Sequence, residues 1–152
     1  MKKVVLIILF AGLTAVSYAQ ANLNTAQRNF QSSIVERINA MGLRVSVNSS
    51  DVIEFERQGV TYKVDIKSGN SAPFVVSIYR EPIMGSINRE RAQRAANQVN
   101  AEFKGIKVYS TNNVVIVATE QSVNNNEEFG YIMFASFDII LGAETKFKEL
   151  YR

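Results

Sequence analysis

The chain has 152 residues, of which 47% are hydrophobic and 20% are charged, and this composition is typical of a single folded domain. It contains no Cys, no His and no Trp. Thiol nucleophiles, disulfides and zinc–thiolate sites are therefore excluded, and the usual general base and commonest metal ligand are missing. We expect no catalytic residue, no metal site and no cofactor. Hydrolase chemistry stays open only through the adjacent carboxylates of Glu127 and Glu128, whose simpler role is to stabilise a helix N-terminus.

Residues 1–19 have the features of a secretory signal peptide. The basic pair Lys2-Lys3 precedes the almost unbroken apolar run 4–16, and Ser17-Tyr18-Ala19 supplies the small residues of a cleavage site before Gln20. The run is shorter than the roughly 20 residues that span a bilayer, although an uncleaved anchor is an alternative. Removal of 19 of the 152 residues leaves 133 and lowers the net charge from +3 to +1, because both lysines are lost. We expect a periplasmic or secreted protein that meets the membrane only during export and binds no nucleic acid.

Apolar periodicity predicts one α+β domain over residues 20–152. Apolar residues recur every three or four positions in three segments and alternate in six others, which indicates helices and strands respectively. The predicted helices cover residues 24–41, 89–103 and 127–150, and the predicted strands cover 43–47, 52–57, 60–67, 74–80, 106–111 and 114–120. The order α-β-β-β-β-α-β-β-α predicts an antiparallel sheet of about five to six strands with three helices. Pro82 is expected to end the fourth strand, and Asn126 is expected to cap the last helix.

Turn residues predict two hairpins and the register of the first. Gln58-Gly59 is interpreted as a two-residue turn, and Asn112-Asn113 as the turn of the second hairpin. Apolar residues then face each other on one side of the first hairpin, and opposite charges meet on the other. The predicted pairs are Ile53 with Val64, Phe55 with Tyr62, Glu54 with Lys63 and Glu56 with Thr61.

The central strands are apolar on both faces, which is unusual for a sheet with one face in water. In the second hairpin one face carries Ile106, Val108, Val115 and Val117, and the other carries Tyr109, Val114, Ile116 and Ala118. Either helices cover both faces, or the second face meets another protein chain. The candidate interface residues are Tyr79, Tyr109, Val114 and Ile116, with a homodimer or a protein client as the partner.

A small-ligand site is the alternative that the polar residues suggest. Asn97 and Asn100 share one face of the second helix, and with Lys107 and Arg94 they could bind a small polar or anionic molecule. The structural alternative is that each asparagine bonds a neighbouring strand or loop backbone and that the arginine lies on a solvated helix face.

Two segments resemble the YbjN family. The helix 91–100 with its Asn97-x-x-Asn100 pattern runs into the segment 103–109, and the strand 74–78 precedes that helix. The resemblance covers roughly residues 34–147 and implies a type III secretion chaperone-like fold and a role as a sensory-transduction regulator. Relatives are often cytoplasmic, and the signal peptide is a departure from that. The leading expectation is an exported, non-enzymatic binding or chaperone-like protein, and the alternative is a periplasmic sensory or regulatory domain.

Overall fold

The computed structural model describes residues 23–84, 86–111 and 113–152. The predicted signal peptide, its cleavage site and Asn112 lie outside the described residues. The predicted α+β layout is confirmed, with three helices and six strands in the expected order. These elements are α1 (Thr25–Ala40), β1 (Val45–Val47), β2 (Ile53–Arg57), β3 (Val60–Ser68), β4 (Phe74–Met84), α2 (Arg89–Glu102), β5 (Ile106–Thr111), β6 (Val114–Val123) and α3 (Asn126–Tyr151).

The strands form one antiparallel sheet in the order β1-β2-β3-β4-β6-β5. The register predicted for the β2–β3 hairpin is confirmed, and it includes the pairing of Phe55 with Tyr62. Gln58 and Gly59 have φ angles of 54° and 74°, so both turn residues are left-handed, as a two-residue hairpin turn requires. β1 and β5 are the edge strands.

Several predicted boundaries are wrong. β1 begins at Val45 and not at residue 43, and β6 continues past residue 120 to Val123. β4 does not end at Pro82 but continues to Met84, because its register with β6 shifts between Arg80 and Ile83. A proline is tolerated in such an irregular stretch, since a regular ladder bond is not required of every residue there. The N-cap of α3 is Asn125 and not Asn126, and its side chain accepts hydrogen bonds from the backbone N–H groups of Glu127 and Glu128.

All three helices pack on the same face of the sheet, which we call the inner face. α3 crosses the middle, where its Phe137 ring lies 4.5 Å from the ring centre of Tyr62. α1 brings Phe30 into a stack with Phe74 at 4.5 Å, and α2 lies over β5. α1 and α2 both pack against α3. The buried core therefore lies between the inner face and this helical layer.

α3 carries apolar residues on its solvent side as well as on the side that packs in the core. Phe129, Met133 and Phe137 are fully buried, whereas Tyr131 and Phe134 on its solvent side are 69% and 48% exposed. Within the part of the chain that the structure describes, neither α3 nor another helix has the length and hydropathy required to cross a membrane.

Candidate functional site

The four predicted interface residues lie together on the face of the sheet that points away from the helices, which we call the outer face. Tyr79 stands opposite Ala118, and Tyr109 stands opposite Ile116, one strand further on. Val114, the first residue of β6, has the same orientation as Ile116. The described helices pack only on the inner face, so none of them covers the outer face.

The centre of the outer face is nevertheless poorly exposed to solvent. Ala118 and Ser77 are 0% and 1% exposed, and the two tyrosines beside them are half-buried. Burial is also the main cause that raises the pKa of Tyr79, and the nearby carboxylate of Asp65 raises it further. The bulky rings thus shield the small residues between them, and together they form a largely desolvated strip.

Charged side chains border this strip on both sides and are paired. On the β3 side, Lys63 donates a hydrogen bond of 2.8 Å to Glu81 and lies 3.6 Å from Glu54. On the β5 side, Lys107 pairs with Glu120. An apolar centre with a polar border is the usual anatomy of a protein–protein interface. Because each lysine on this border is paired with a glutamate, the border does not select strongly for a charged partner.

The residues of the candidate ligand site are not brought into one cluster. Lys107 points to the outer face, whereas Arg94 and Asn97 are exposed on α2, where they pair with Glu90 and Gln93. The Nδ2 of Asn100 donates to the carbonyl oxygen of Val108 at 3.0 Å, and its Oδ1 accepts from the Val108 N–H at 2.7 Å. Asn100 therefore bonds a strand backbone, as the structural alternative predicted.

The adjacent carboxylates Glu127 and Glu128 lie in the first turn of α3. Glu128 accepts hydrogen bonds from the backbone N–H and the side-chain amide of Asn124, and these bonds lower its pKa. Negative charge in a first turn is favoured by the helix dipole. Among the described residues, no three acidic side chains come together in a way that would hold a metal ion.

A buried ion pair on the inner face is the polar feature that was missed in the sequence. Arg80 on β4 pairs with Glu144 on α3, and the side chains are only 17% and 7% exposed. Lys148 also contacts Glu144, and the Arg80 guanidinium lies 5.6 Å from the ring centre of Tyr62. Arg80 is two residues from Ile78 on a strand, and Glu144 is three residues from Phe147 on a helix, so each charge shares the buried side of its element. This periodicity could have revealed the pair in the sequence. The pair connects α3 to the sheet.

No protein-family model and no curated protein matches this chain.

Proposed function

We propose that this protein binds another protein chain through the outer face of its sheet and acts as an exported, non-enzymatic, chaperone-like binding protein. The observation that carries the proposal is the desolvated strip around Tyr79, Tyr109 and Ile116, which lies on the face that the described helices leave open. Apolar patches of this kind with a polar border commonly mark protein interaction sites.

The shape of this surface favours a protein partner over a small molecule. The side chains stand next to one another on neighbouring strands, so the outer face offers area and little depth, whereas small ligands bind in concave pockets. The partner is a client protein or a second copy of the chain. The apolar run behind Lys2-Lys3 supports export, and the resemblance to the YbjN family supports a chaperone-like role.

The test is the substitution Ile116→Asp on the outer face. Ile116 is half-buried, so a carboxylate there disrupts an apolar interface but keeps part of its contact with water in the free protein. We expect a loss of binding with a cost of about 1–3 kcal/mol in stability, which leaves the protein folded. Oligomeric mass is measured by light scattering and folding by circular dichroism. A client is identified by mass spectrometry of proteins that co-purify from the periplasm.

Two matched variants make the result specific. Ile139→Asp places the same charge on the solvent side of α3, where the residue is 41% exposed, and should leave both folding and binding unchanged. Val117→Asp, one position further along β6, buries the charge in the core and should unfold the protein. A partner that binds the wild type and the Ile139→Asp variant but not the Ile116→Asp variant supports the proposal. Equal binding by all folded variants contradicts it.

A further inference from the structure

The solvent side of α3 carries the two largest apolar side chains that the described chain exposes, Tyr131 and Phe134. They share this side of the helix with Ala135 and Asp138, which are also exposed. The spacing of these residues follows one side of a helix for roughly two turns. We call these four residues the α3 stripe. Ile139 lies outside it, since it is turned by about 100° around the helix from Asp138.

The exposed ring of Phe134 is held in place by the residues next to it. It makes an edge contact with the buried ring of Phe137, at 5.9 Å between ring centres. The guanidinium of Arg57 on β2 lies over both rings, 5.8 Å and 4.5 Å from their centres. A side chain that is fixed before binding loses less conformational entropy when a partner covers it. This ring is therefore a preorganised contact point.

Two charges of opposite sign border the α3 stripe, and neither is neutralised within the described chain. No described residue forms a hydrogen bond or an ion pair with the carboxylate of Asp138, and no described carboxylate forms an ion pair with Arg57. A partner of one charge sign would complement only one of these groups. A second copy of this chain brings both signs to the same surface, so its charge complements the α3 stripe.

The order of side chains along the α3 stripe points to the same partner. In an antiparallel pair of α3 helices with a two-fold axis between residues 134 and 135, Tyr131 of one copy lies level with Asp138 of the other. The phenol can then donate a hydrogen bond to the carboxylate. Phe134 lies level with Ala135, so a large side chain meets a small one. A parallel pair would place carboxylate level with carboxylate and ring level with ring.

We propose that the α3 stripe is the contact surface of a two-fold dimer of this chain, in which the two α3 helices lie antiparallel. Both copies use the same residues, so the contact closes after two copies. It joins the helical layers and leaves both outer faces directed away from the axis, because the helices pack on the inner face. The dimer is therefore compatible with the binding proposed for the outer face and does not depend on it. A contact of two helical turns is small, so the dimer is weak and its population depends on concentration.

Disulfide trapping tests the arrangement of the helices, because the chain contains no Cys. Ala135→Cys places the two thiols beside the axis, where the Cα atoms come within the limit of about 7 Å that a disulfide requires. Thr145→Cys is the matched control, since Thr145 is exposed on the same helix but its two copies lie about 30 Å apart along the antiparallel pair. We expect mild oxidation to give a covalent dimer with Ala135→Cys and to leave Thr145→Cys largely monomeric.

An exchange of side chains tests which residues meet across the axis. Tyr131→Asp places two carboxylates level with each other at two symmetric positions, and it should raise the dissociation constant of the dimer about tenfold or more. The double variant Tyr131→Asp/Asp138→Tyr restores the same pair in reverse order and should bring this constant back close to that of the wild type. Sedimentation over a range of concentrations provides the measurement. Circular dichroism should show folded protein in each case, because both positions are exposed.

Three results would overturn the proposal. The first is a wild-type protein that stays monomeric at every concentration, and the second is equal trapping of Ala135→Cys and Thr145→Cys. The third is an exchanged double variant that associates no better than Tyr131→Asp alone. Ile116→Asp should leave this dimer intact, and loss of the dimer in that variant would place the contact on the outer face instead. Failure of Ile116→Asp to reduce binding of a client bears only on the outer face.

Discussion

Tyr79 illustrates how a side chain on an open sheet face can still be shielded from water. Burial is the largest cause of its raised pKa, and the carboxylates of Asp65 and Glu81 act in the same direction. The folded chain therefore holds the phenol proton more tightly than the unfolded chain does. Unfolding releases this proton once the pH exceeds the ordinary tyrosine pKa of about 10, so the stability contributed by the neutral phenol is present below that pH and falls as the pH rises.

We predict that Tyr79→Phe weakens this loss of stability at high pH. Each tyrosine with a raised pKa contributes a slope of up to ~1.4 kcal/mol per pH unit above its unfolded pKa, and the substitution removes one such group. Burial also raises the pKa of Tyr62, so part of the slope should remain. The measurement is urea unfolding between about pH 9 and pH 11, a range that brackets the ordinary tyrosine pKa.

The control for this experiment is Tyr131→Phe, which removes a phenol from a ring that is 69% exposed. We expect it to leave the pH dependence close to that of the wild type. A slope that is unchanged by Tyr79→Phe, or changed equally by both variants, would contradict the assignment of Tyr79 to a desolvated strip.

At the scale of elements, the three successive asparagines before α3 have different roles. Asn124 bonds Glu128, Asn125 caps the helix through two backbone N–H groups, and Asn126 is the first helical residue. Asparagine is tolerated before the N-cap, at the N-cap and at the first helical position. Three asparagines in a row therefore do not show which of them is the N-cap. The choice depends on where the chain leaves β6, since Val123 is still paired with Phe74 in the sheet.

We predict that Asn125→Ala lowers the free energy of unfolding by about 1 kcal/mol, because two backbone N–H groups lose their acceptor. Asn126→Ala should cost clearly less, since among the described residues the Asn126 side chain makes one long bond, of 3.5 Å, to the Ser33 carbonyl. Chemical denaturation of both variants provides the comparison. A larger effect for Asn126→Ala would place the cap where the sequence alone had suggested it.

The register of the β2–β3 hairpin could be predicted from the sequence, whereas the end of β4 could not, and the reason is physical. The β2–β3 register was predicted correctly because Gln58-Gly59 and the alternation around it are local features of the sequence. The end of β4 was predicted wrongly because Pro82 was judged as a residue in a regular strand. Whether a proline ends a strand depends on the register with β6, and that register is a property of two segments that are distant in the sequence.

For the whole molecule, we predict export with cleavage before Gln20. Intact-mass measurement of material from the periplasmic fraction should show a chain of 133 residues, which is the 152-residue sequence without its first 19 residues. A Lys2→Glu/Lys3→Glu variant should be exported less efficiently, because the positive start of the predicted signal peptide is lost. A full-length mass in the membrane fraction would contradict the prediction.

The candidate site was only partly predictable. Alternation along β4, β5 and β6 placed Tyr79, Tyr109, Val114 and Ile116 on one face, and the structure shows this arrangement. The spacing of Asn97 and Asn100 on one helical face led to their grouping with Lys107, although the Lys107 side chain lies on the outer face. Spacing along the chain does not show on which side of the sheet α2 packs, and that side decides which polar residues meet.

The amino-acid sequence by itself determined the order of the elements, the first hairpin register and the two apolar faces of the central strands, because these depend on periodicity and turn chemistry over short distances. Only the tertiary structure decided that all three helices pack on one face, that Arg80 meets Glu144 and that Asn100 covers the edge of β5. These results depend on contacts between residues far apart in the chain or in different elements. Such contacts are selected by the packing of the whole core, since burial is favourable for each helix on either apolar face and only the combined arrangement decides between them.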